Sequence, residues 1–362
     1  MDIKTIGVEE WLNVWEKSAT WDIAQSTISS LTMGELRALD EQDGATFYER
    51  LDREKMNYGW IEGSPEFKAE VARLYRREVN PDHILQTNGC TGANLNAIMA
   101  VVEPGDHVIA EWPTYAPLYE IPRTLGAEVE YWELREELGW KPDIEGLKRL
   151  VRPTTKLICI NNPDNPTGAL LDADTLKAIV EVARKHDAWL LCDEVYRLLT
   201  QTDEYAESVV DLYDKAVATA SMSKVWSFAG LRLGWAVTKS PELRRALLSH
   251  RDYNLISAGI FSESVAELIL GNLAVLEKWV ESEPHLSFVK PEAGSTALVY
   301  YDYDIDSRTF CTDMIKKSGA LVTPGDCFEE PKSMRIGYAY SDNTDDLQKG
   351  LDAISAYMRT LE

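Results

Sequence analysis

Lys224 follows the small-residue run ATASMS and precedes VWSFAGLRLGW, which puts an amine at the end of an apolar strand. Lysine is almost never buried unpaired, and burial lowers an ammonium pKa because it penalises the charged form. A neutral amine can attack a carbonyl and form an imine, so the position has the chemistry of a carbonyl-binding nucleophile. Asp193 closes a second apolar run, AWLLCDEVY, 31 residues earlier. A carboxylate there either caps the turn that follows or faces a cationic ring nitrogen. Tyr196, three residues on, is placed to hydrogen-bond a ring hydroxyl. The run NNPDNPTG (161–168) is a turn and helix entry, and Asn165 within it offers an amide to the same ring oxygen.

Three segments could bind an anion. GCTGAN (89–94) is a small-residue loop that opens a helix, so the backbone N–H groups around Cys90 and Thr91 can point at a phosphate with the helix dipole behind them. Ser221 and Ser223 add hydroxyls beside Lys224, and Arg232 in GLRLGW adds a guanidinium fork. Near the C-terminus, Arg335 in SMRIGYAY is suited to a substrate carboxylate. Tyr115 in WPTYAP can stack on a planar ring, while Tyr58 in NYGWIEGSP reads equally as a loop aromatic. An imine-forming lysine, a carboxylate for a ring nitrogen and a phosphate cradle together describe a site for pyridoxal 5'-phosphate. No metal is called for.

The elements that must position these residues alternate. Apolar strand patterns at HVIAE, KLICINN (156–162), AWLLCDE (188–194), KAVATASMS (215–223) and LGWAV (233–237) are separated by helical ones such as DADTLKAIVEVARKH (172–186). Such alternation predicts a largely parallel sheet with crossover helices, and in such sheets ligands sit beyond the carboxyl ends of the strands. The spacing also predicts surface helices over 9–18 and 66–78. From 240 to about 280 the pattern is helical. A second β and α mixture follows through LSFVKPEAG, TALVYYD, a helix near 307–318 and MRIGYAY, which is a smaller second domain.

A chain of 362 residues is long enough for two packed domains. Sixty acidic against 37 basic residues give a net charge of -23, which repels nucleic acid and anionic lipid, so neither is an expected partner. Five widely spaced cysteines without a CxxC pair read as reduced thiols. The polar start DIKTIGVEEW and the absence of an apolar run of about eighteen residues point to a cytoplasmic protein.

NPTG at 165–168, DEVY at 193–196, SMSKVWSFAGLRLGW at 221–235 and RIGYA at 335–339 stand in order and spacing. With these segments the chain resembles the class I/II aminotransferases of fold-type I pyridoxal-phosphate enzymes. The resemblance runs from about Tyr58 to Arg335. It implies an α/β fold: a large domain with a mostly parallel seven-stranded sheet flanked by helices, plus a smaller α+β domain formed by the N- and C-terminal parts. The implied division is an N-terminal segment over 1–40 packing with the small domain, a cofactor domain over 41–260, and an interdomain helix with the small domain over 261–362. It further implies Lys224 as Schiff-base lysine and proton shuttle, Asp193 on the pyridine nitrogen, Asn165 with Tyr196 on the ring hydroxyl, and Tyr115 stacking. Cys90, Thr91, Ser221 and Arg232 match phosphate-binding positions, with Ser223 beside them, and Arg335 matches the grip on the substrate α-carboxylate. Tyr58 is similar to a tyrosine lent across a homodimer to the neighbour's phosphate, so the active sites would be shared.

Two departures stand out. Aspartate-specific members carry a second arginine for the side-chain carboxylate, and no clear counterpart is present. The stretch from Lys224 to Arg335 is also short for the family, with the shortfall near ELILGNLAVLEKW (267–279); either the helix is truncated or residues are absent. The expected reaction moves an amino group between an amino acid and a 2-oxo acid. The same residues would also serve a C–S β-lyase or an amino-acid cyclase. A non-catalytic amino-acid-binding regulator is disfavoured, because the chain has neither the length nor the basic charge for an added DNA-binding domain.

Overall fold

The structure is a computed structural model that describes residues 3–30, 58, 60–72, 74–75, 79–200, 206–226, 228–256, 276, 278–288, 296–338 and 344–361. The first strand, β1 (Trp21–Asp22), is short, and the next seven are β2 (Ile84–Asn88), β3 (His107–Trp112), β4 (Glu128–Glu133), β5 (Thr155–Asn161), β6 (Trp189–Asp193), β7 (Ala216–Ser221) and β8 (Leu233–Val237). These seven form one sheet in the order β2-β8-β7-β6-β5-β3-β4. The neighbours from β4 through β7 are parallel, while β8 runs antiparallel to both β7 and β2.

The reversal has a simple cause. A parallel return needs a crossover of about a dozen or more residues, as the helix Ala173–Lys185 supplies between β5 and β6. Only residues 222–232 separate β7 from β8, and the described ones hold nothing longer than a 3-10 turn at Ala229–Leu231. This tight link carries both Lys224 and Arg232. Strand β7 is buried along its whole length and β5 at all but one position, as expected where helices cover both faces of a sheet.

The small sheet is antiparallel, in the order β12 (Thr323–Pro324), β13 (Ser333–Ile336), β10 (Ala297–Tyr301), β9 (Leu286–Phe288), and β1 pairs in parallel with β11 (Ala320–Leu321). The helix Gly7–Trp15 buries Val8 and Trp11 in the same core as Tyr301, Phe310, Met314 and Leu351. Trp11 Nε1 donates to the Val322 carbonyl at 2.8 Å. That core extends to Cys90, Val195 and Tyr196, at the strand ends of the large sheet.

The helix expected over 9–18 is Gly7–Trp15 followed by a 3-10 turn, and the one expected over 66–78 is Pro65–Ala72. Residues 278–282 are helical, but most of the segment 267–279, like the boundaries proposed near 40 and 260, lies outside the described residues. Among the described residues no helix is long and apolar enough to cross a membrane, and no group of three or more His, Cys, Asp or Glu could hold a metal.

Candidate active site

The chemically distinctive side chains collect at the carboxyl ends of the parallel strands. Asp193 is the last residue of β6, Lys224 lies three residues beyond β7, Asn165 four beyond β5 and Tyr115 three beyond β3. Lys224 is half-buried, and its Nζ donates to Ser26 Oγ at 2.7 Å. Burial, reinforced by the positive charge of Arg335, pushes its pKa down to about 8, against the opposing pull of Glu9, Asp193 and Cys90. The amine is therefore largely neutral not far above neutral pH.

Asp193 is 2% exposed, and burial raises its pKa. The rise is opposed by donors: Asn94 Nδ2 at 2.6 Å, the Val195 backbone N–H at 3.1 Å and the Cys90 thiol at 3.3 Å. Tyr196 is buried beside Arg335 and Asp193, and burial raises its hydroxyl pKa.

Arg335 is 2% exposed. Its Nη1 donates to Asn165 Oδ1 at 3.1 Å, and its Nη2 donates to the Ala24 carbonyl at 2.9 Å and to Thr323 Oγ1 at 3.3 Å. Its Nε is buried and has no hydrogen-bond partner. All three partners are neutral oxygens, so a buried positive charge is left for a carboxylate to neutralise. The Asn165 loop is held in turn, since the Asn165 N–H donates to Asn161 Oδ1 at 2.7 Å and Asn161 Nδ2 donates to the Asp193 carbonyl at 2.8 Å.

A second anion locus forms where the helix Gly89–Val101 begins. Its N-terminus has no side-chain cap and no acidic residue in the first turn. Gly89 has a φ of +68°, and a Cβ there would stand 2.6 Å from Arg232 Nη2, so only glycine lets the guanidinium come this close. Arg232 Nη1 donates to Ser223 Oγ at 3.3 Å, and Ser221 Oγ accepts from the Ser223 N–H at 3.3 Å. Thr91 Oγ1 shares a hydrogen bond with the Tyr115 hydroxyl at 3.0 Å, which fixes the tyrosine against the same turn.

The residues picked from sequence thus come together, with two refinements. The Cys90 thiol turns to Asp193, which leaves its backbone rather than its side chain to the helix terminus. Tyr58 makes none of these contacts and is 80% exposed within the single chain. Sequence reasoning missed Ala24, Ser26, Asn94, Thr219 and Thr323. Asn94 carried a usable signal, since it stands four residues after Cys90 and so shares its helix face. The others are lone small or polar residues with no motif around them.

Comparison with known proteins agrees with this geometry. The class I and II aminotransferase family matches residues 36–283. The chain is 32% identical over 98% of its length to the capreomycidine synthase of Streptomyces vinaceus, 93% of which is covered. It is 26% identical over 80% of its length to the aspartate aminotransferase of Thermotoga maritima, with 79% of that protein covered. A crystal structure of a PLP-dependent aminotransferase from Streptococcus suis 89-1591 superposes with a TM-score of 0.94 at 44% identity, covering 100% of this chain and 99% of that one. The chain belongs to the class I and II aminotransferase family, whose members depend on pyridoxal phosphate. It is an enzyme of the transaminase class. The residues present fit that cofactor: the uncapped helix terminus with Arg232 drawn against Gly89 suits its phosphate, and Lys224 lies within electrostatic reach of Asp193.

Proposed function

We propose that this aminotransferase exchanges an amino group between an amino acid and a 2-oxo acid, with Lys224 as the residue that holds the cofactor and moves the α-proton. The observation that carries the reading is the half-buried Lys224 amine, held by Ser26 and depressed to about 8 by burial and Arg335. When bound, pyridoxal phosphate supplies an electron sink for the pair left at the substrate α-carbon. Asp193 would face its ring nitrogen, Asn165 and Tyr196 its ring hydroxyl, and Tyr115 its ring face. The first-turn N–H groups at Cys90 and Thr91, with Ser221, Ser223 and Arg232, would hold its phosphate. Arg335 would grip the substrate α-carboxylate. Neutral Lys224 Nζ takes the α-proton, a step that contributes a factor of about 10² to 10⁴ in general acid–base catalysis.

The working unit in this reading is a cytoplasmic homodimer in which the exposed Tyr58 reaches the partner's phosphate site. Five free thiols accord with a reducing compartment. The division at 1–40, 41–260 and 261–362 belongs to the same reading, supported by the core that Gly7–Trp15 shares with residues 297–358. The test is Lys224→Ala assayed against a panel of amino donors. Turnover should fall by at least about 10²- to 10⁴-fold, and transamination at the wild-type rate would sink the assignment.

A second reading, cyclisation or β-elimination through the same α-carbanion, is favoured by the likeness to capreomycidine synthase over 98% of the chain. Oxo acid formed only when a second oxo acid is supplied supports transamination. Product formed without any acceptor supports the alternative.

A further inference from the structure

The carboxylate of Asp193 sits in a cradle that is more specific than burial requires. Asn94 is 0% exposed, and its Nδ2 donates to Asp193 Oδ2 at 2.6 Å. Asp193 Oδ1 receives the Cys90 thiol at 3.3 Å and the Val195 N–H at 3.1 Å. Among the described residues, every hydrogen bond to this carboxylate comes from a donor. A protonated carboxyl would accept from these donors more weakly and hold a proton that none of them can take, whereas an ionised one takes all three as charge-assisted bonds.

Asn94 could defeat this by turning its amide over, which would aim a carbonyl oxygen at the anion. Thr219 opposes that. Its hydroxyl, 0% exposed on β7, donates to Asn94 Oδ1 at 2.6 Å, with the Cys192 carbonyl a more distant acceptor at 3.4 Å. Thr219 stands opposite Asp193 in the pairing of β6 with β7, so the strand register places the lock beside the group it serves. The two donors Cys90 and Asn94 are four residues apart on one helix, which begins at the anion locus of Arg232 and Gly89. One helix therefore presents its terminus to the phosphate end and its side chains to the far end of the same ligand.

We propose that Asn94, oriented by Thr219, is a positioning residue that keeps the Asp193 carboxylate anionic and aimed at the ring nitrogen of the cofactor. Asn94 acts only through Asp193. The inference rests on the assignment of Asp193 above, and the experiment separates the two.

Apoenzyme is titrated with pyridoxal 5'-phosphate and with its 1-deaza analogue, in which a C–H replaces the ring nitrogen, and both dissociation constants are read from quenching of tryptophan fluorescence. The wild type should prefer the natural cofactor. In Asn94→Leu the preference should shrink by about 10- to 100-fold, the loss expected for a hydrogen bond to a charged group, while the analogue binds as before. Thr219→Val should move the preference in the same direction by a smaller factor, and it carries the comparison should Asn94→Leu fail to fold. Equal weakening of both ligands would reduce Asn94 to scaffold and overturn the proposal, as would a variant with undiminished preference. A wild type without any preference would overturn the Asp193 assignment and this proposal with it.

Discussion

Two arginines reach the site, and they are built in opposite ways. Arg335 is 2% exposed and lies on β13 of the small sheet, yet its bonds run to Asn165 of the large domain and to the Ala24 carbonyl of the N-terminal segment. Arg232 is exposed, ends a 3-10 turn at a φ of +50°, and among the described residues bonds within the link between β7 and β8. Within one chain, the groups proposed to hold the phosphate thus all come from the large sheet and its links. The proposed carboxylate locus draws, among the described residues, on three parts of the chain. In a transaminase this separates a group that stays from groups that come and go.

The contrast breaks first at Arg335. Arg335→Leu should lower kcat/KM for any amino acid by about 10²–10³-fold, the cost of removing one partner of a desolvated charged contact. Cofactor affinity should hardly move. Arg232→Met should do the reverse, weakening cofactor binding by about tenfold because an exposed guanidinium has water as a competitor, with kcat at saturating cofactor little changed. Titration of apoenzyme followed by steady-state kinetics checks both. A cofactor defect in the Arg335 variant, or a substrate defect in the Arg232 variant at saturating cofactor, would erase the distinction.

What the sequence disclosed follows the same division. Lys224, Asp193 and Asn165 were legible because each is a polar residue at, or within four residues of, the end of an apolar strand, and the large sheet is made of local strand–turn units. The orientation of β8 was open to the same reading, since eleven residues after β7 cannot hold a crossover. Arg335 was picked by its type and by its match to a family signature, while its burial was not legible, because nothing local marks an arginine for burial. Ala24 and Ser26 were invisible. They meet Arg335 and Lys224 across 311 and 198 residues of chain, and one of them contributes only a backbone carbonyl. Asn94 and Thr219 sit inside apolar runs, where a single polar residue reads as an interruption of the pattern rather than as its purpose. Tyr58 is 80% exposed in the single chain, so its proposed role rests on the proposed dimer alone.

The smallest expected effect couples the two regions through Lys224. Its pKa lies near 8 because burial and the Arg335 charge both disfavour the ammonium. A depressed lysine pKa means that the folded state binds its proton less tightly than the unfolded chain does, so the position costs stability below about pH 8 and the cost fades as pH rises toward the ordinary lysine value. For reactivity the sign is that of any lysine, an amine freed as pH rises, but the midpoint is lower. Apoenzyme should form an adduct at Lys224 with an amine-selective aldehyde, with a midpoint near pH 8, while surface lysines react only at higher pH. Arg335→Leu removes a repelling charge and should move the midpoint upward, whereas Asp193→Asn removes an attracting one and should move it downward. Mapping the labelled peptide across pH reads both shifts. If neither substitution moved the midpoint, burial alone would set the amine's readiness, and the two domains would be coupled by contact without being coupled by charge.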